Sequence, residues 1–190
     1  MNKIRAYFDA LAPQWDEVSV HDPQKIRKIV HSCHLSKKSR VLDIACGTGV
    51  LAPFLLEWEP ASVTGIDLSP KMIDIAQKKY GDRVTYICQD VLEYTGGPFD
   101  VCIVYSAFPH FLEPERLLEK ANSLLSSSGR LVIAHSQSRE QINSIHGGSA
   151  SQVSRGLMEA SQLAELMEPW FDVEEIVDDE QMYLVCGRKK

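Results

Sequence analysis

The sequence contains no run approaching the ~18 apolar residues that a membrane-crossing helix needs, no Cys-x-x-Cys pair, no internal repeat and no low-complexity tract. Its first residues, Met1 to Asp9, lack an apolar core and carry an acid early, so neither a signal nor a transit peptide is expected there. The five cysteines (33, 46, 88, 102 and 186) are an odd number, widely spaced, and four sit in or beside apolar β-type runs. Cysteines used as small buried hydrophobes in a reducing compartment follow that pattern, and a cytoplasmic location is expected. Basic clusters are missing as well. Twenty Lys and Arg stand against 26 Asp and Glu, for a net charge of −6, and the basic residues come singly or in pairs such as Lys37-Lys38 and Lys78-Lys79. A duplex binder gathers its basic residues on one face, so neither nucleic acid nor a membrane is an expected partner.

What is present suffices for one packed domain over 1–190: 44% of the 190 residues are hydrophobic, enough for a core without disulfide or metal staples. Strand-like runs at 40–45, 62–66, 84–88, 99–105 and 129–135 are rich in Val, Ile and Leu without polar alternation, as in strands buried on both faces. Helical patterns fill the gaps, which implies a parallel sheet covered by helices. The clearest helix opens at Ser69-Pro70, a cap and first-turn pair, presents Met72, Ile73 and Ala76 inward, and stops at Gly81. Others are expected at 2–10, 22–35, 113–125 and 159–168. Two later runs, 171–177 and 182–187, flank the acidic turn Asp178-Asp179-Glu180 and read as an antiparallel hairpin. Between 136 and 155 the chain turns polar and rich in Ser and Gly, as a mobile loop with a short helix would be.

Chemistry is densest in Val41-Leu42-Asp43-Ile44-Ala45-Cys46-Gly47-Thr48-Gly49. A buried strand enters a two-glycine turn and a helix is expected at once, with Pro53 falling near its fourth position. Small residues at 45, 47 and 49 let a ligand lie against bare backbone, and the incoming helix points N–H groups at it. Asp43 offers a carboxylate to a cationic or hydrogen-bond-donating group. A tight turn without ligand has the same pattern, and Gly47-x-Gly49-x-x-Ala52 also satisfies a relaxed dinucleotide fingerprint. Asp67 ends the second strand, 18 residues past Gly49, where a ribose diol would be gripped. Its alternative role is to cap the following helix, although Ser69 already fills that place. Asp90, after the third strand, either accepts from an exocyclic amine of adenine, with Val91 and Leu68 sandwiching the ring, or is a solvated loop acid.

Together these motifs resemble the class I S-adenosylmethionine-dependent methyltransferases. Val41–Val50 is similar to the first motif of that family, Gly65–Ser69 to its acidic ribose motif, Gln89–Val91 to its adenine motif, Phe99–Phe111 to its fourth-strand motif and Ser126–His135 to its fifth. The resemblance implies an α/β, Rossmann-like three-layer sandwich whose seven-stranded, mostly parallel sheet has the order 3-2-1-4-5-7-6 with strand 7 antiparallel. It implies S-adenosylmethionine as cofactor, with Asp67 on the ribose, Asp90 and Val91 at the adenine, Gly47 and Gly49 beside the methionyl part, and Asp43 on its amino group, directly or through water. Ala45 stands where many members have glycine. Leu68, Met72 and Tyr105 complete the expected cofactor contacts. Tyr7, Phe8 and Trp15 resemble an aromatic cap carried by residues 1–35; ordinary amphipathic packing would also account for them.

The acceptor pocket is expected at the carboxyl ends of strands 4 and 5, under a lid at 136–155. After strand 4 the chain reads Tyr105-Ser106-Ala107-Phe108-Pro109-His110, without the Asn/Asp-Pro-Pro-Tyr/Phe signature for base amines, so methylation of DNA bases is not expected. His110, His135 and His146 are the candidate bases, since imidazole takes a proton near neutral pH. No spacing among them enforces a metal site, and none is expected. Arg139 and Arg155 either hold an acceptor carboxylate or are surface charge. A small-molecule acceptor follows from the lack of a substrate domain, with a second subunit, as in a homodimer, as the other source of pocket walls. A nicotinamide oxidoreductase and a non-catalytic cofactor-binding scaffold are the rival readings.

Overall fold

The computed structural model describes residues 3–146 and 153–190, excluding the side chains at 145 and 146. Its strands are β1 (Arg40–Ile44), β2 (Ser62–Asp67), β3 (Thr85–Cys88), β4 (Phe99–Tyr105), β5 (Leu125–His135), β6 (Phe171–Asp178) and β7 (Tyr183–Lys189). They form one sheet in the order β3-β2-β1-β4-β5-β7-β6, with β7 antiparallel to both β5 and β6 and the other pairs parallel. This is the expected order, and the terminal hairpin inserts its second strand beside β5.

Helices α1 (Lys3–Leu11), α2 (Trp15–Val18), α3 (Pro23–His31), α4 (Ala52–Leu56), α5 (Pro70–Tyr80), α6 (Pro114–Leu124), α7 (Arg139–His146) and α8 (Ala160–Met167) follow the same chain order. Alternating strand residues supply two cores. Leu42, Ile44, Cys102, Val104, Leu131 and Ile133 face Leu117 and Leu118 of α6 and Leu163 and Met167 of α8. Val41, Val101, Ile103, Val132 and Ala134 face Ile26, Ile29 and Val30 of α3 and Leu55 of α4. A strand with both faces covered cannot afford polar alternation, which is why β1, β4 and the end of β5 read as continuous apolar runs.

Local chemistry fixes the helix starts. Asp22 caps α3, accepting from the N–H groups of Gln24 (2.8 Å) and Lys25 (3.4 Å), and Ser69 caps α5, accepting from Met72 N–H at 3.2 Å. Each such cap contributes about 1 kcal/mol. Both are followed by proline, whose missing N–H is not needed in the first turn.

Three details depart from expectation. Helix α4 does not begin directly after the glycine turn but at Ala52, so Pro53 occupies its second position rather than its fourth and no helical bond is lost. Strand β3 lies at the sheet edge, and Thr85 and Cys88 are exposed rather than buried on both sides. Strand β5 starts at Leu125, four residues early, through a register shift opposite Phe99 and Val101.

Candidate functional site

The glycine loop leaves β1 by an unusual backbone path. Ala45, Gly47 and Gly49 have φ of +57°, +54° and +83°. That left-handed region is open to glycine and costs an alanine roughly 1–2 kcal/mol. The two glycines then part company. A Cβ on Gly47 would meet only Trp15 Nε1, at 3.8 Å, whereas one on Gly49 would lie 2.7 Å from Tyr86 Oη. Gly47 is bare because its surroundings are open; Gly49 is bare because Tyr86 packs against it.

This curl aims Gly47 N–H at Asp67, whose Oδ2 accepts it at 2.9 Å while Oδ1 accepts Ser69 N–H at 2.8 Å. Burial raises the Asp67 pKa despite these backbone donors. A carboxylate has about four lone-pair sites, more than the backbone donors fill, so Asp67 retains acceptor capacity. It both braces the glycine loop and faces open space. Asp90 behaves similarly: it caps a 3-10 turn over Val91–Glu93, accepting Leu92 N–H at 3.0 Å.

These elements surround a cavity of about 350 Å³. Ala45 and Gly47 form one part of its wall, Ile66–Ser69 with Met72 another, Gln89–Glu93 a third, and Ser106, Ala107, His110 and Phe111 a fourth. Ile4, Arg5, Phe8 and Trp15 close it from the N-terminal side. Of the expected site residues, Ala45, Gly47, Asp67, Leu68, Met72, Asp90, Val91, Trp15 and His110 are brought together on this wall.

Others are placed elsewhere. Asp43 is buried in β1 between Gly65 and Ile103, off the wall, and burial, reinforced by Asp67, raises its pKa well above the usual carboxylate range. Gly49 borders a second hollow on the far side of the loop, with Asp16, His21, Thr48 and Lys79. Tyr7 packs edge-on to Phe8, ring centres 5.3 Å apart, and does not line the cavity. Tyr105 is buried in a polar chain: its hydroxyl donates to Ser136 Oγ at 2.7 Å and therefore accepts from His21 Nδ1 at 2.8 Å, while His21 Nε2 meets Ser19 Oγ at 3.0 Å. Burial lowers the His21 pKa, opposed by Asp16.

The three histidines do not share one cavity wall. His110 lines it, edge-on to Phe8 at 4.8 Å. Its Nδ1 lies 3.1 Å from the carbonyl of Val153. A carbonyl only accepts, so Nδ1 carries a proton and donates it there. His135 is buried at the end of β5 beside Tyr183, ring centres 6.0 Å apart. The side chain of His146, and residues 147–152 of the expected lid, lie outside the described residues.

Sequence reasoning missed the clasps on the N-terminal helices. Ser69 Oγ donates to Asp9 at 2.6 Å, and Thr48 Oγ1 donates to Asp16 at 2.6 Å, with Lys79 also paired to Asp16. Burial opposes ionisation of both acids, but the hydrogen bonds outweigh it and lower both pKa values. No local pattern flags such pairs, which join residues 60 and 32 positions apart.

A sequence model of a methyltransferase domain matches residues 41–129, from β1 into β5. The demethylmenaquinone methyltransferase of Thermus thermophilus is 32% identical over 137 residues, covering 66% of this chain and 62% of that protein. Over residues 41–129 the chain thus matches a methyltransferase domain, and its fold is that of S-adenosylmethionine-dependent methyltransferases. Malonyl-[acyl-carrier protein] O-methyltransferase of Acetivibrio thermocellus is 28% identical over 136 residues, 69% of this chain and 48% of that protein. The chain thus spans about half the length of the curated relatives it matches. Among solved structures, the N-methyltransferase NodS of Bradyrhizobium japonicum superposes with a TM-score of 0.75 at 14% identity, covering 99% of both chains, and shows the shared fold. The domain match and the methyltransferase relatives favour methyl transfer over the nicotinamide reading of the glycine turn.

The family's cofactor fits this cavity. Its volume lies within the ~300–1,000 Å³ usual for small-molecule sites. Gly47 leaves peptide uncovered, Asp67 has acceptor capacity in reserve, and Leu68 and Val91 are apolar neighbours of Asp90 on the same wall.

Proposed function

We propose that the protein transfers a methyl group from S-adenosylmethionine to a small-molecule acceptor that loses a proton to His110. The observation that carries this is the convergence of three sequence-distant motifs, at 45–47, 67–69 and 90–91, on one cavity of about 350 Å³ whose wall also carries His110. When bound, the cofactor supplies a methyl group already activated on a sulfonium, so the protein's task is alignment, exclusion of water and proton removal.

Asp67 accepts from the ribose hydroxyls with the lone pairs its backbone donors leave, and Asp90 accepts from the adenine amine, with Leu68 and Val91 against the ring. Ala45 and Gly47 lie beside the methionyl part. Asp43, off the wall, acts on the amino group only through an intermediary. Phe8 of α1 and Trp15 of α2 exclude water, while α3, expected as part of the cap, packs instead into the core beneath the sheet. On the acceptor side, His110 donates Nδ1–H to Val153 and takes the acceptor's proton at Nε2. Val153 stands on that side through its carbonyl, in a single catalytic domain working in the cytoplasm.

The reading is tested by titration calorimetry with S-adenosylhomocysteine and with NAD on the same preparation, followed by transfer of a radiolabelled methyl group into a small-molecule extract. Saturable binding of the thioether nucleoside and a labelled small product are expected. Binding of NAD alone would overturn the cofactor assignment. Nucleoside binding with no labelled product would leave a scaffold instead of an enzyme.

A further inference from the structure

On the same face of the sheet as the cofactor cavity, two side chains carry hydrogen-bond donors that no described residue answers. Tyr183 opens β7 directly opposite His135 and is fully buried, yet its hydroxyl has no partner among the described residues. Arg155 lies over Phe108, its guanidinium carbon 5.0 Å from the ring centre. Its Nε and Nη2 are shielded from solvent and likewise meet no acceptor among the described residues. The contrast with Arg139 is direct: that guanidinium donates from Nε to Asp178 at 3.1 Å and lies 3.3 Å from Glu140.

The two unanswered nitrogens of Arg155 are not an arbitrary pair. Nε and Nη2 share one edge of the guanidinium plane, the edge that meets both oxygens of a carboxylate in parallel. Tyr183 adds a neutral donor, and Phe108 an apolar floor beneath the guanidinium. Burial lowers the Arg155 pKa, opposed by Glu115 and Tyr183, and among the described residues no carboxylate bonds its Nε or Nη2.

The arginine is also held in place relative to the proposed base. Its own N–H donates to Pro109 O at 2.9 Å, and His110 Nδ1 contacts Val153, two residues away. Asn143 of α7 clamps the same segment from beyond, accepting Leu157 N–H at 2.6 Å and donating to Leu157 O at 3.1 Å. Phe108 itself lies between Ala107 and His110, both on the cofactor cavity wall.

We infer that Arg155 and Tyr183 form an anchor for a carboxylate carried by the methyl acceptor, placed one aromatic ring away from the cofactor cavity. The inference rests on the methyltransferase reading and names its substrate class: a small organic acid whose carboxylate is gripped while another of its atoms accepts the methyl group. Arg155 and Tyr183 are positioning residues and take no part in moving the proton.

The test uses protein saturated with S-adenosylhomocysteine, titrated with acetate, hexanoate and benzoate and, as the uncharged control, benzamide. Binding of at least one carboxylate, with benzamide at least tenfold weaker than benzoate, is expected. Arg155→Gln should weaken the bound carboxylate tenfold or more. Tyr183→Phe should weaken it several-fold while leaving the ligand-free melting temperature equal or higher, because the deleted hydroxyl had nothing to lose. A structural hydroxyl gives the opposite pattern, a lower melting temperature with unchanged binding, and that result would overturn the assignment. So would a failure of all three carboxylates to bind, or equal affinity in Arg155→Gln. The same titrations on cofactor-free protein separate the two readings: absent nucleoside binding removes the methyltransferase proposal, whereas absent carboxylate binding removes the anchor alone.

Discussion

The two halves of the sheet's carboxyl rim are built on opposite hydrogen-bonding principles. Beyond β1, β2 and β3 the rim is rich in acceptors that are partly used: Asp67 and Asp90 each take backbone N–H groups and so are rigid before any ligand arrives. Beyond β4, β5 and β7 the rim carries donors that are unused: Arg155 Nε and Nη2 and the Tyr183 hydroxyl are shielded from solvent and unanswered among the described residues. A half that spends part of its polar capacity on its own backbone is preorganised for one ligand. A half that leaves donors open depends on what enters.

That contrast is broken most strongly at His110, which stands between the halves. His110→Gln should lower single-turnover methyl transfer by about 10²–10⁴-fold, the usual worth of a positioned base, while changing nucleoside affinity far less. Loss of both together would make His110 a wall residue of the first half and nothing more.

The acceptor-rich half is tested next. Asp67→Ala should weaken binding of S-adenosylhomocysteine by ~1–3 kcal/mol, because it removes a buried charge-assisted acceptor and a brace of the glycine loop. Carboxylate binding on the other half should be unaffected in cofactor-free protein. Calorimetry on the single variant reads both quantities, and an unchanged nucleoside affinity would remove Asp67 from the ribose.

A smaller effect concerns the chain from Ser19 through His21 and Tyr105 to Ser136, which ties the N-terminal segment to the donor-rich half. The His21 pKa is lowered from 6.5 in the folded protein, so between those two values the unfolded chain binds the extra proton. Stability contributed by neutral His21 is therefore complete above about pH 6.5 and declines as pH falls through the folded value. Thermal melts at pH 7.5, 6.5 and 5.5 should show a slope that His21→Gln flattens; an identical slope in the variant would place the titration elsewhere.

The acceptor-rich half was far more legible in the sequence than its neighbour, and the reason is chain distance. Asp67, Ser69 and Pro70 do their work within one strand end and one helix cap, so local pattern reveals them. The sheet order was legible for a similar reason: strands covered on both faces must be uninterrupted in apolar residues. Tyr105 misled because its partner, His21, is 84 positions away, and a tyrosine at a strand end carries no mark of the direction its hydroxyl takes. Gly49 misled for the converse reason, since a glycine required by Tyr86 looks the same as one required by a ligand. Arg155 and Tyr183 became notable only through the absence of described partners, a property that exists in three dimensions alone.

Helices α1 and α2 supply Phe8 and Trp15 to the cavity, and they are fastened through Asp9 to the cap of α5 and through Asp16 to the glycine loop. Whatever detaches those two carboxylates also uncovers the nucleoside. On the proposed reading, the dwell time of the spent product would depend on a pair of hydroxyl-to-acid bonds from buried Ser69 and Thr48, and deleting either hydroxyl would quicken its departure.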